Sequence, residues 1–256
     1  MVLDLTIRVE CNYDDCFDAS FYNSVVALDR QAHQRLRITP PNEFSFAAAA
    51  ALVPVLTGEF GLIAREYALV FMGAGAKEVV PVALTGMPQG KNLFVRADGS
   101  WDARYVPAYA RRYPFVFAET GPEQFTVCID PGSKFLSEEV GTPLFENGEP
   151  SPLLQETVRL LADYHRLMSQ TKVFMDKLMA ANLLMDANAK ADLPDGRSFT
   201  WRGFWVVDEA RFRALPEATL KEWFAGGELG LIYAHLMSLS NLADLLRRHH
   251  TVNPVA

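Results

Sequence analysis

The sequence predicts an α+β fold in which an antiparallel sheet of about six to eight strands is packed by two long helices from the C-terminal half. Before about residue 150, short runs rich in Val, Phe and Leu alternate with turns containing Gly, Pro and Asp, which is typical of strands. After residue 150, apolar residues recur at three- and four-residue steps, the period of one helix face. The strands are joined by short connectors, and these favour antiparallel neighbours because parallel pairs need crossovers of about a dozen residues.

The front half contains the predicted strands. Extended runs at 25–28 and 35–38 come first, and a short helix capped by Thr57 is predicted to continue to about Tyr67. The other strand candidates are 68–72, 79–84, 93–95, 115–117 and 125–129, separated by turns at 73–75, 87–90, 98–99 and 120–122.

The back half contains the predicted helices and one hairpin. The longest helix is expected over 153–184, with Ser151 as its cap and Pro152 in a favourable first position. A hairpin follows between 184–193 and 198–207, with its turn at Pro194-Asp195-Gly196. Asp208 then caps a helical tail. Pro216 and Gly226-Gly227 interrupt this tail, and the last long helix covers 228–248.

Composition and charge exclude several classes of protein. The chain has 256 residues, 50% of them hydrophobic, so it is long enough to bury a sizeable core without disulfide bonds. Its net charge is −7, which argues against nucleic acid as a partner. The first twenty residues are acidic, and the longest apolar run, 46–56, is interrupted by Pro54. We therefore expect a cytoplasmic protein without a secretory signal or membrane insertion.

Motifs for metal, cofactor or nucleophile chemistry are not found in the sequence. Cys11 and Cys16 lack a second ligand cluster for zinc, and Cys128 lies in a run typical of a buried strand. Gly73-Ala-Gly75 is followed by a strand, whereas a dinucleotide-binding loop needs a strand before it and a helix after it. We expect neither a metal nor a cofactor.

Three polar clusters are the candidates for ligand binding. The candidate residues are Arg30, His33, Tyr105, Tyr109, Arg111, Arg112, His235 and Asn241. Arginines offer planar donors to carboxylates or phosphates, and tyrosines at four-residue spacing can line a pocket. Each cluster also has a structural interpretation, which we favour: a solvated turn around His33, a core edge covered by tyrosines, and a core histidine with satisfied hydrogen bonds.

Several stretches follow one another in the order seen in a known family. They include Phe21-Tyr-Asn-Ser-Val-Val-Ala-Leu-Asp-Arg30, Leu52-Val-Pro-Val55, Asp98-Gly-Ser-Trp101, Tyr105-Val-Pro-Ala-Tyr109 with Arg111-Arg-Tyr-Pro-Phe115, Leu193-Pro-Asp-Gly196, and Leu231-Ile-Tyr-Ala-His235 with Asn241. In these stretches the chain resembles the SapC-like family of bacterial proteins from about residue 21 to 248. Similar proteins have a polar residue where this chain has Ala51, so a polar site that used this position would be weakened.

The resemblance implies a setting and not a mechanism. The family takes its name from a gene of a surface-layer cluster, and similar proteins occur beside outer-membrane receptors and flavin-dependent tryptophan halogenases. The first hypothesis is therefore an accessory protein that binds a protein partner, such as a component of the receptor or halogenase system, or a small ligand in a cell-envelope or nutrient-uptake pathway. The alternatives are an enzyme or enzyme subunit whose Arg/Tyr/His pocket takes an anionic or aromatic small molecule, and a structural surface-layer component. The predicted organisation is a divergent acidic segment, 1–20, and a single SapC-like domain, 21–250.

Overall fold

The structure is a computed structural model that describes residues 21–73, 79–87, 90–121, 124–192 and 198–252. The segment 1–20 with Cys11 and Cys16 lies outside the described residues. So do the hairpin turn predicted at 194–196 and parts of the turns predicted at 73–75, 87–90 and 120–122. Of the residues that the structure describes, 39% are helical and 26% are in strands, which confirms the α+β class.

Most strands belong to antiparallel pairs that are close in the chain. Within the described ranges they are β1 (Val26–Ala27), β2 (Arg37–Ile38), β3 (Leu52–Pro54), β4 (Ala68–Met72), β5 (Val80–Leu84), β6 (Phe115–Gly121), β7 (Gln124–Ile129), β8 (Leu136–Ser137), β9 (Thr142–Pro143), β10 (Phe145–Glu146), β11 (Glu149–Pro150), β12 (Leu184–Asp192) and β13 (Ser198–Val207).

The helices are concentrated after residue 150, as expected. They are α1 (Phe60–Ile63), α2 (Ala108–Arg111), α3 (Pro152–Ala180), α4 (Glu209–Arg213), α5 (Glu217–Gly226), α6 (Glu228–Ser238) and α7 (Leu242–Val252), with 3-10 turns at Ser45–Ala47, Thr57–Glu59 and Leu239–Asn241.

The strands divide among several antiparallel sheets, which corrects the prediction of one sheet. The largest has five strands in the order β12-β13-β4-β5-β3, and two three-stranded sheets have the orders β1-β7-β6 and β8-β2-β9. The buried apolar residues form separate clusters, the largest against the five-stranded sheet and the second against the smaller sheets, and each cluster is packed by its own layer of secondary structure. The hairpin β12–β13 pairs as predicted, with Leu184 opposite Val207.

Two predicted elements differ in the structure. Residues 93–95 form no strand. The side chain of Asn92 accepts from the N–H of Phe94 at 2.9 Å and donates to Ala47 O, so it takes the place of backbone hydrogen bonds to a neighbouring strand. Thr57 does not cap a helix to Tyr67: its N–H donates to Thr171 Oγ1 on α3 at 2.9 Å, and α1 ends at Ile63.

The long helix α3 contributes to two apolar clusters. Near its start Leu154 and Leu161 pack with the small sheets, whereas Phe174 and Leu178 pack beneath the five-stranded sheet. Ser151 caps α3 as predicted, because its Oγ accepts from Leu154 N at 3.3 Å. The single-domain assignment of 21–250 stays a prediction.

The predicted last helix is present as α6, a 3-10 turn and α7. Gly227 separates it from α5 with a φ of 89°, a left-handed conformation that glycine adopts without strain. By length and composition alone, Glu228–Thr251 is apolar enough to cross a membrane. A helix packed in a protein core passes the same criterion, so the absence of membrane insertion stays a prediction.

Candidate functional site

The turn containing Arg30 and His33 is exposed and satisfied by local bonds. Asp29 Oδ1 accepts from the N–H groups of Gln31 and Ala32 at 2.8 and 2.7 Å, and these two bonds lower the pKa of Asp29. His33 Nδ1 accepts from Asp29 N at 2.8 Å. Arg30 forms an ion pair of 2.6 Å with Glu149. This geometry agrees with the solvated-turn interpretation.

Tyr105 and Arg111 form a network with a buried carboxylate. Glu59, 3% exposed, accepts from Tyr105 Oη at 2.8 Å and from Ala108 N at 2.7 Å. Arg111 then donates to the same phenol oxygen at 3.1 Å. Burial raises the pKa of Glu59 against the opposing effect of its hydrogen bonds, and burial beside Glu59 raises the pKa of Tyr105 to about 12.

Arg112 is buried among aromatic rings. Its guanidinium carbon lies 4.2 Å from the ring centroid of Tyr109, 4.6 Å from that of Tyr164 and 5.8 Å from that of Tyr22. The faces of these rings attract a cation, which compensates part of the cost of burying the charge. Tyr109 and Arg112 therefore hold α2 against the start of the chain and against α3.

The tyrosines do not form the stripe that their spacing suggested. The helix α2 covers only Ala108–Arg111, so Tyr105 precedes it and bonds to Glu59. Tyr113 follows it, and its phenol donates to Asp130 Oδ2 at 3.3 Å. Four-residue spacing places side chains on one face only where the helix is continuous.

His235 and Asn241 fasten the last helices to strand β4 and to the segment just before it. His235 Nε2 accepts from Val207 N at 3.1 Å, so the Nδ1–H donates to Leu69 O at 3.0 Å. Asn241 donates to Ala64 O and Tyr67 O, both at 2.9 Å. His235 has no exposed surface, and burial lowers its pKa to about 4. The ring is neutral at physiological pH and acts as a packing element with two hydrogen bonds.

The eight candidates therefore occupy three places, namely the surface turn, the tyrosine–arginine segment and the interface of β4 with α6. The pocket that the enzyme alternative requires, with a histidine beside arginine and tyrosine, is not open at His235, because this ring has no exposed surface and both of its nitrogens are bonded to backbone. Among the described residues, no group of three His, Cys, Asp or Glu side chains could hold a metal ion.

An open groove of about 490 Å³ lies between the start of α3, the hairpin β10–β11 and strand β7 of the sheet β1-β7-β6. Its lining residues are Leu28, Val127, Phe145, Pro150, Leu154, Gln155, Val158 and Arg159. Six of the eight are apolar, and Leu28, Val127, Phe145 and Leu154 continue below it into the second apolar cluster. The volume is within the range of roughly 300–1,000 Å³ typical of small-molecule sites.

The polar side of the groove contains one charge. Gln155 donates from its amide to Pro150 O at 3.0 Å. Arg159 is exposed and has no ion pair within the part of the chain that the structure describes. The predicted candidate Arg30 lies beside the groove, two residues after Leu28, but it is paired with Glu149. The groove thus joins an apolar floor to one uncompensated guanidinium.

Val158 belongs to the apolar pattern that predicts the long helix, yet 36% of this residue is exposed. In the sequence, the groove is indicated by an apolar stripe along α3 that is too wide for one buried face. Val158 and Leu160 belong to this stripe, and both remain exposed.

Comparison with known proteins decides the family. A family model described as SapC matches residues 28–245. The chain belongs to the SapC family. No curated protein and no solved structure gives a significant match.

The SapC match includes every residue of the groove, from Leu28 to Arg159, and all eight candidates, from Arg30 to Asn241. The acidic segment 1–20 lies outside it. The groove and the polar networks are therefore built from the part of the chain that the family model covers.

Proposed function

We propose that this SapC-family protein is a non-catalytic accessory protein that binds a ligand or partner through the groove beside α3. The observation that carries the proposal is the groove itself, an apolar depression in which Val158 remains 36% exposed. A ligand that covers the apolar surface of a concave site removes this surface from water, and this favours binding. Its setting, in this proposal, is a cytoplasmic step of a cell-envelope or nutrient-uptake pathway, with a receptor or tryptophan halogenase system as partner.

The ionisable groups support binding in preference to catalysis. Acid–base catalysis needs a group whose pKa lies near the working pH and which can reach a substrate. Glu59 and His235, whose pKa values are shifted by burial, are both used in hydrogen bonds that hold backbone segments together. Neither residue lines the groove.

The test is to place a charge in the groove and to use a matched control on the same helix. Val158→Glu puts a carboxylate over the apolar floor, whereas Val173→Glu makes the same change at a site on α3 that is 56% exposed and not part of the groove lining. Tagged wild-type and variant proteins are recovered from the native host after mild lysis and examined by native mass spectrometry.

We expect the wild type and Val173→Glu to carry the same bound protein or small molecule and Val158→Glu to lose it. Recovery of free monomer from all three, or retention of the bound species by Val158→Glu, would contradict the proposal. Circular dichroism spectra that match the wild type show that each variant is folded.

A further inference from the structure

We infer that the groove binds a small apolar monoanion, an apolar body that carries one carboxylate or sulfonate, with Arg159 as its counter-ion. This inference rests on the proposed function and narrows it to a ligand class. It depends on three properties of the groove: the nature of its lining, its length and its charge.

The lining selects the body of the ligand. Leu28, Val127, Phe145 and Val158 present aliphatic and aromatic carbon, and removing such a surface from water favours the binding of an apolar body. Gln155 donates one amide N–H to Pro150 O, and six of the eight lining residues have no polar side-chain atom, so the lining offers few partners to a ligand rich in hydroxyl groups. A sugar or a nucleoside would lose hydrogen bonds to water without replacing them here.

The length of the groove favours a small molecule over a docked segment of protein. Its helical wall extends from Leu154 to Arg159, five residue steps or about 7.5 Å at the helical rise. A docked strand of ordinary length covers roughly 17–20 Å, so most of its residues would lie beyond the lining. One compact apolar group fills the space.

The charge selects the head group. Among the described residues of the lining, Arg159 is the one that is charged, and its guanidinium can hold a carboxylate or sulfonate through two parallel N–H donors. The neighbouring cation Arg30 is already neutralised by Glu149, so we expect a ligand with a single negative charge.

Two fluorescent probes with almost the same body separate the apolar and the ionic contributions. Both 8-anilinonaphthalene-1-sulfonate and N-phenyl-1-naphthylamine contain an arylaminonaphthalene, and only the first carries a negative charge. Each probe is titrated against the full chain and the variants Arg159→Gln, Arg166→Gln, Val158→Glu and Val173→Glu. Arg166 is the matched control because it is an exposed arginine on the same helix that is paired with Asp163 and is not part of the lining.

For the wild type we expect the sulfonate to bind more tightly than the neutral probe. Arg159→Gln should weaken the sulfonate about tenfold, the loss typical of a hydrogen bond to a charged group, and leave the neutral probe unchanged. Arg166→Gln and Val173→Glu should change neither, and Val158→Glu should weaken both.

Three results would overturn the inference, and they bear differently on the proposed function. If the two probes bind with equal affinity and Arg159→Gln changes neither affinity, the ligand needs no anionic head group, but the groove still binds apolar molecules. Equal effects of Val158→Glu and Val173→Glu place the probes elsewhere on the surface. If neither probe binds and Val158→Glu alone fails to capture a host protein, the occupant of the groove is a protein segment. The proposed function then remains intact.

Discussion

Acidification should destabilise the fold through His235. The ring has no exposed surface, and burial lowers its pKa from the ordinary value of 6.5 to about 4. Between these two values the unfolded chain binds a proton that the folded protein excludes, so the stability contributed by the neutral ring is complete above pH 6.5 and is lost as the pH falls towards 4.

The magnitude follows from the two pKa values. The full difference of 6.5 and about 4 corresponds to about 3 kcal/mol of unfolding free energy at 1.36 kcal/mol per unit. Most of it, about 2 kcal/mol, is lost between pH 7.5 and pH 5.0. This is a large fraction of the roughly 5–15 kcal/mol by which domains are stable.

The assay is urea unfolding of the wild type and of His235→Gln, followed by tryptophan fluorescence at pH values from 7.5 to 5.0. His235→Gln should be less stable at pH 7.5, because it disturbs the bonds to Leu69 and Val207, but it should lack this part of the pH dependence. The control is Asn241→Ala, which removes other buried hydrogen bonds of the last helices but keeps the imidazole, so it should keep the pH dependence of the wild type. An equal loss of stability on acidification in His235→Gln and in the wild type would refute the reasoning.

Three further substitutions test the other polar networks by urea unfolding at pH 7.5. Tyr105→Phe removes the phenol that donates to buried Glu59 and should lower the unfolding free energy by about 1–2 kcal/mol. Asn241→Ala leaves two backbone carbonyls without their donor and should lower it by about 1–3 kcal/mol. Lys177→Met removes the ion-pair partner of Glu228, a carboxylate that is 8% exposed, and should lower it by about 1–3 kcal/mol because the charge that remains is buried.

Each substitution has a control on an exposed site. Tyr233→Phe, Ser240→Ala and Lys172→Met change residues that are exposed in the structure, and each should change stability by less than about 0.5 kcal/mol. A variant no less stable than its control would show that the corresponding hydrogen bond or ion pair does not contribute to the fold.

The hairpin β12–β13 and the helix α3 were predictable because their signals are local. Apolar residues at helical spacing, with Ser151 before Pro152, specify α3 without reference to the rest of the chain. The alternating run that ends at Val207 specifies β13, and Asp208 begins the next helix by accepting from Ala210 N at 2.9 Å. Propensity, capping and periodicity act within a few residues, so one sequence is sufficient to read them.

The tyrosine–arginine segment shows where this reasoning fails. Its four-residue spacing suggested a single face, but Pro107 begins a helix of one turn, and the three tyrosines enter different surroundings. The prediction of a strand at 93–95 is wrong for a related reason. The ring centroid of Phe94 lies 4.5 Å from that of Tyr67, and the side chain of Asn92 accepts the hydrogen bond from Phe94 N that a neighbouring strand would accept in a sheet. In both cases a contact with a residue far away in the chain, Glu59 for Tyr105 and Tyr67 for Phe94, acts together with local residues on the conformation.

The sequence by itself determined the α+β class, the long helix, the hairpin and the resemblance to the SapC family, since each depends on neighbouring residues or on their order. The tertiary structure decided that Glu59 and His235 are buried and hydrogen-bond to distant backbone segments, and that Arg159 lies beside an apolar groove. Those properties depend on burial and on contacts between residues far apart in the chain, such as His235 with Leu69. The pattern of residues within a short stretch of sequence contains no information about which distant surfaces meet.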